Sequence, residues 1–166
     1  MALNVNPNTN DDSYRYKMES INTTQTGSGK NCHTIINNID IIAHQLNTET
    51  HLLMGYIGNC LGASTNVSHQ EMGFSIKGHF PDDKIQSIIY DFITFATICK
   101  KCTIPELAPS VKGKGKRMDL EMYCSACGTS YFLDGNNKMN TKLVDSMCKH
   151  YSKNPFVPKE GSTCLV

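Results

Sequence analysis

Two cysteine pairs carry the plainest chemistry in this sequence. Cys99-Lys-Lys-Cys102 and Cys124-Ser-Ala-Cys127 stand twenty-one residues apart, and Gly128 follows the second pair. Two such pairs form two knuckles, and two knuckles supply four thiolates to one tetrahedral Zn²⁺. The separation slightly exceeds the usual span of roughly 15–20 residues, which a hairpin loop absorbs at little cost. Paired disulfides would need an oxidising compartment, which nothing in the chain suggests. A redox dithiol would need one pair in a thioredoxin-like setting. Four cysteine ligands leave no position open for water, so the expected site is structural and function must lie elsewhere.

Three polar stretches are the other candidates. Ser13-Tyr14-Arg15-Tyr16-Lys17-Met18 is a short basic-aromatic segment. By composition alone its arginine is a solvated or cation–π residue. Gly27-Ser28-Gly29-Lys30-Asn31 resembles the end of a phosphate-binding P-loop. The signature fails, because Thr24 stands for its first glycine and Asn31 for its Ser/Thr. A glycine-rich hairpin tip is the better reading. Lys112-Gly113-Lys114-Gly115-Lys116-Arg117 is a basic tip inside the cysteine segment. Phosphate contact and mere solvation both suit it. The remaining cysteines, Cys32, Cys60, Cys148 and Cys164, have no second ligand spacing and read as buried or unpaired thiols.

The elements that must position these residues give an α+β fold: a small α/β core followed by a docked four-cysteine ribbon. Residues 1–20 are expected to be a flexible arm, since 1–12 offer little to bury. The core is expected over 21–98. It would hold a strand at Thr34–Ile36 and a helix from Ile39 capped by Asn38. A bulged strand is expected over Tyr56–Thr65, and an alternating strand at Met72, Phe74 and Ile76. Pro81-Asp82-Asp83 starts the clearest helix, with Asp82 as cap and Ile85, Ile88, Ile89, Phe92, Phe95 and Ala96 as its apolar stripe. That helix runs directly into Cys99. The ribbon is expected over 99–133, a helical segment over 134–155 and a tail over 156–166.

The whole chain sets outer bounds. Its 166 residues suit one domain or two small ones, and a formal net charge of +1 does not advertise nucleic acid. No apolar run is long enough to span a membrane, and the polar N-terminus lacks a signal region, so a cytoplasmic monomer is expected.

Several motifs together resemble the N-terminal domain of eukaryotic translation initiation factor five, which shares a core with the beta subunit of factor two. They are Asn4-Val5-Asn6, Tyr14 to Met18, the loop near 27–31, Asn47, Tyr56 with Gly58, and Leu61-Gly62-Ala63 with Thr65. Pro105-Glu106 after the first knuckle, Cys124-x-Ala126-Cys127-Gly128 and Asn154-Pro155 complete the set. The resemblance covers roughly 1–155 and implies a core like that of initiation factor one. It implies that the domain accelerates GTP hydrolysis by the gamma subunit of factor two on the small ribosomal subunit. Arg15 then resembles the family's catalytic arginine, supplied in trans. Such fingers give roughly 10³–10⁵ in rate, or about 4–7 kcal/mol.

By the same resemblance the loop Gly27-Ser28-Gly29-Lys30-Asn31 faces initiator tRNA. Tyr14, Lys17, His33, Lys112, Lys114, Lys116 and Arg117 are further candidate RNA or partner contacts. His33 and Gly55 stand where the family carries lysines on which hydrolysis depends. That departure favours an alternative: a non-activating mimic that occupies the initiation complex and modulates start-codon selection.

Overall fold

The computed structural model describes residues 1–67 and 73–164. The expected strand position Met72 lies outside them. The chain opens with β1 (Ala2–Asn4), which pairs antiparallel with β2 (Lys17–Glu19) in the register Leu3 opposite Met18. The expected disordered arm is therefore a hairpin. Its anchors are sparse but fully used: Val5, Tyr16 and Met18 are buried in the core. The Val5 amide also donates to the Tyr16 carbonyl at 2.9 Å.

The core sheet has four antiparallel strands in the order β3 (Thr23–Thr26), β4 (His33–Ile36), β6 (Phe74–Lys77), β5 (Thr65–Val67). Helix α1 (Ile39–Gln45) buries Ile39, Ile42 and Ala43. Asn38 precedes it without capping it. Its side chain instead accepts from the Asn22 amide and donates to the Ser20 carbonyl, tying the helix start to the end of the hairpin.

Tyr56–Leu61 belongs to a helix, α2 (Thr50–Leu61), and not to the expected bulged strand. Leu52, Leu53, Met54, Tyr56, Ile57 and Gly58 are all buried, so the less buried stripe is narrow and the helical period faint. Its glycines serve the helix rather than a bulge. Gly62 ends it in the left-handed region at φ 62°. A Cβ on Gly58 would lie 2.5 Å from the Thr65 methyl, so only glycine lets β5 turn back against α2.

Helix α3 (Asp82–Phe92) carries the expected stripe of Ile85, Ile88, Ile89 and Phe92. Pro81, and not Asp82, holds the cap position. The Asp82 carboxylate accepts the Thr23 hydroxyl and fixes the helix start to β3. A buried π-type turn, Ile93–Thr97, then delivers the chain to Ile98 and Cys99.

The ribbon is a three-stranded antiparallel sheet: β7 (Leu107–Lys114), β8 (Arg117–Cys124) and β9 (Ser130–Phe132). Leu107, Leu120 and Met122 are buried, and α4 (Lys138–Lys153) lies against β7, β8 and α2 through Leu143, Met147, Cys148 and Tyr151. Asn137 caps α4 by accepting from the Asn140 amide at 2.8 Å.

The expected tail is docked as well. The Asn47 side chain accepts from the Lys159 amide at 2.8 Å and donates to the Cys164 carbonyl at 3.3 Å. Ser162 and Cys164 are buried. Among the described residues no helix is long and apolar enough to cross a membrane.

Candidate functional site

The four ribbon cysteines converge. Their sulfurs all lie within 4.8 Å of one another, with Cys99 and Cys127 3.8 Å apart and Cys102 and Cys124 3.5 Å apart. Tetrahedral Zn–S bonds of about 2.3 Å place sulfurs about 3.8 Å apart, so the set fits a metal ion. The knuckles are equivalent. The Thr103 amide donates to the Cys99 carbonyl at 2.9 Å, and the Gly128 amide to the Cys124 carbonyl at 2.8 Å. Both turning residues have positive φ, 61° at Thr103 and 73° at Gly128. Burial pushes the Cys124 thiol up to about 12, while hydrogen bonds from Thr129 hold Cys127 down at about 6. Part of the set thus favours thiolate before any cation arrives, and a bound cation favours it throughout.

One strut joins this centre to the N-terminal hairpin. Tyr16 donates its hydroxyl to the Glu106 carboxylate, across ninety residues of sequence. The second Glu106 oxygen accepts from the Ser125 hydroxyl at 2.8 Å, within the second knuckle. Burial, then the Glu106 bond, pushes the Tyr16 phenol up to about 12, so it remains a donor at neutral pH. The Tyr14 ring packs 5.5 Å from that of Tyr16.

Between the two tyrosines Arg15 is exposed, its guanidinium 5.6 Å from the Tyr16 ring centroid. Among the described residues no carboxylate pairs with it. The guanidinium is thus carried on a bend two residues before β2 and lies over the anchored Tyr16 ring. Lys17 is engaged inside the hairpin, donating to the Asn4 side-chain oxygen.

The other expected contacts occupy two further elements. Gly27 and Gly29 have φ of 75° and 58°, and Lys30 and Asn31 lie on an exposed 3-10 turn. A Cβ on Gly27 would fall 2.0 Å from the Asn31 carbonyl oxygen, so the tight tip requires glycine there. His33 opens β4, opposite Thr26 and Lys77. At the ribbon tip Lys114 faces Arg117 across the strands, Lys116 sits in the turn, and Lys112 is paired with Glu121 at 3.3 Å. The expected residues thus form a hairpin site, a loop and a ribbon tip.

The model of a domain found in initiation factors 2B and 5 matches residues 6–130. That span takes in β2 of the hairpin, the core and all four clustered cysteines. The chain belongs to the family of initiation factor five N-terminal domains. It is 33% identical to eukaryotic translation initiation factor 5 of Caenorhabditis elegans over 144 residues, covering 87% of this chain and 32% of the relative. It is 30% identical to the Saccharomyces cerevisiae factor over 144 residues, 87% of this chain and 35% of the relative. The Dictyostelium discoideum factor is 29% identical over 161 residues, 97% of this chain and 37% of the relative. The chain thus spans about a third of the length of the relatives it matches.

For a factor-five domain the two departures are informative. Gly55 lies mid-helix in α2 with open space where a side chain would begin, and His33 is half-buried at a strand start. At Gly55 a side chain has room to begin. Sequence reasoning misses the role of Glu106. Pro105-Glu106 stands out as a shared motif, but its partner Tyr16 is too distant in sequence to be inferred.

Proposed function

We propose that this domain acts in translation initiation, stimulating GTP hydrolysis by the gamma subunit of initiation factor two through Arg15, within a complex containing the small ribosomal subunit and initiator tRNA. The observation that carries the reading is the Arg15 guanidinium: exposed, without an acidic partner among the described residues, and carried on the bend that leads into β2, next to Tyr16, which is bound to Glu106 of the ribbon. Phosphoryl transfer spreads negative charge over the equatorial oxygens, and a preoriented cation from another protein stabilises it. An anchored backbone lowers the entropy lost when the side chain is positioned. The four cysteines hold one structural Zn²⁺. It takes no part in the chemistry, and its binding contributes folding energy to a ribbon with a small core. The glycine-rich loop and the ribbon tip serve as RNA contacts.

The test is single-turnover hydrolysis on a reconstituted initiation complex, with binding measured alongside. Arg15→Ala is expected to bind like the native chain and lose at least about 10³ in stimulated rate. Equal rates would remove the arginine from the mechanism. His33 and Gly55 favour a second reading, a mimic that occupies the complex without activating it. In that case the native chain binds without stimulation, and His33→Lys with Gly55→Lys restores hydrolysis.

A further inference from the structure

Helices α2 and α4 leave an open groove of about 360 Å³ between them. Its α2 wall is the stripe His51, Gly55 and Asn59, one turn apart. Its α4 wall carries Lys149, His150 and Lys153. Among the described residues no carboxylate lines it. Lys149 and Lys153 are exposed, and neither has an ion-pair partner among the described residues. The acidic group bearing on His51 from the start of α2 is Glu49, and it is neutralised by Lys159 of the C-terminal segment at 3.0 Å. The His51 and His150 rings meet edge to face, with centroids 4.7 Å apart. Gly55 keeps the floor open, since a Cβ there would meet nothing within 4 Å.

A groove with two exposed, unpaired lysines and no acid attracts anions. Its layout suits a strand better than a single ion. Lys149 and Lys153 are four residues apart on one helix, about 6 Å along its axis at 1.5 Å per residue, close to the spacing of consecutive phosphates. The histidine pair offers flat faces of the kind on which unpaired bases stack. We propose that this groove binds the phosphodiester backbone of single-stranded RNA, with Lys149 and Lys153 on successive phosphates and the His51–His150 pair against an adjoining base. The site is separate from the hairpin, the glycine-rich loop and the ribbon tip, and it holds whether or not Arg15 acts in catalysis.

The test uses the full zinc-loaded chain and a short labelled oligouridylate, followed by fluorescence anisotropy across a salt series. Lys149→Glu with Lys153→Glu is expected to weaken binding by about tenfold or more. It should also reduce the slope of log affinity against log salt by about 1.4, the value for two lost phosphate contacts on a single strand. Lys149→Arg with Lys153→Arg should retain binding, and circular dichroism establishes that each variant folds. The imidazole resonances of His51 and His150 should shift with the oligonucleotide. Groove variants that bind like the native chain would overturn the proposal. So would loss of binding confined to Lys114→Glu with Arg117→Glu at the ribbon tip. Equal imidazole shifts with inorganic phosphate at matched phosphate concentration would reduce the groove to an anion site and overturn the RNA assignment.

Discussion

Thr103 turns the first knuckle at φ 61°, a conformation that branched side chains resist, while the second knuckle uses Gly128 for the same turn. The left-handed region costs a non-glycine residue roughly 1–2 kcal/mol, and glycine gives back part of that through the freedom of its unfolded chain. Thr103→Gly is therefore expected to stabilise the zinc-loaded protein by up to about 1 kcal/mol, read as a higher urea midpoint with unchanged slope. Asn47 also sits at positive φ, 57°, where its side chain spans from Lys159 to Cys164. Burial holds the Cys164 thiol up at about 12. Asn47→Ala should release the segment over 159–164 and speed alkylation of Cys164 severalfold, with little change at buried Cys148. In the sequence Asn47 stands out only as one of the shared motifs, because its partners lie more than a hundred residues downstream.

Elements are legible in the sequence where their pattern is local. Helix α3 announces itself through an acidic first turn and an apolar stripe, and the cysteine spacing defines both knuckles. The second half of helix α2, from Tyr56, reads as a strand because burial on most of its faces obscures the period. The hairpin reads as a loose arm because three buried residues, Val5, Tyr16 and Met18, are scattered among asparagines, aspartates and other polar residues. Two changes probe these elements. Gly58→Ala sets a methyl 2.5 Å from that of Thr65 and 3.1 Å from the Ala63 carbonyl oxygen. It should cost about 1–3 kcal/mol through overpacking, against the gain alanine gives in an open helix. Tyr16→Phe removes the hydroxyl that reaches Glu106. It should cost about 1 kcal/mol and accelerate amide exchange in β1 and β2 more than in β3 to β6.

At the scale of the whole molecule, the cysteine centre, the hairpin and the core form one connected structure. The chain passes from α3 into the first knuckle, α4 returns across the ribbon to α2, and Glu106 ties Tyr16 to Ser125. One zinc per chain is expected, and a strong chelator should remove it. Amide protection should then fall across β7, β8 and β9 and in the N-terminal hairpin, while β3 to β6 with α2 and α3 retain theirs. On the proposed reading, a metal in the cysteine centre would bear on Arg15 through Glu106 and its bond to Tyr16, the residue next to it. The measurement that bears most directly on the account is the single-turnover GTP hydrolysis rate of a reconstituted initiation complex, with the native chain, with Arg15→Ala and with neither. A native rate at least about 10³ above both others, with equal occupancy of the complex by the two chains, is the predicted result. A native rate equal to that of Arg15→Ala would contradict it.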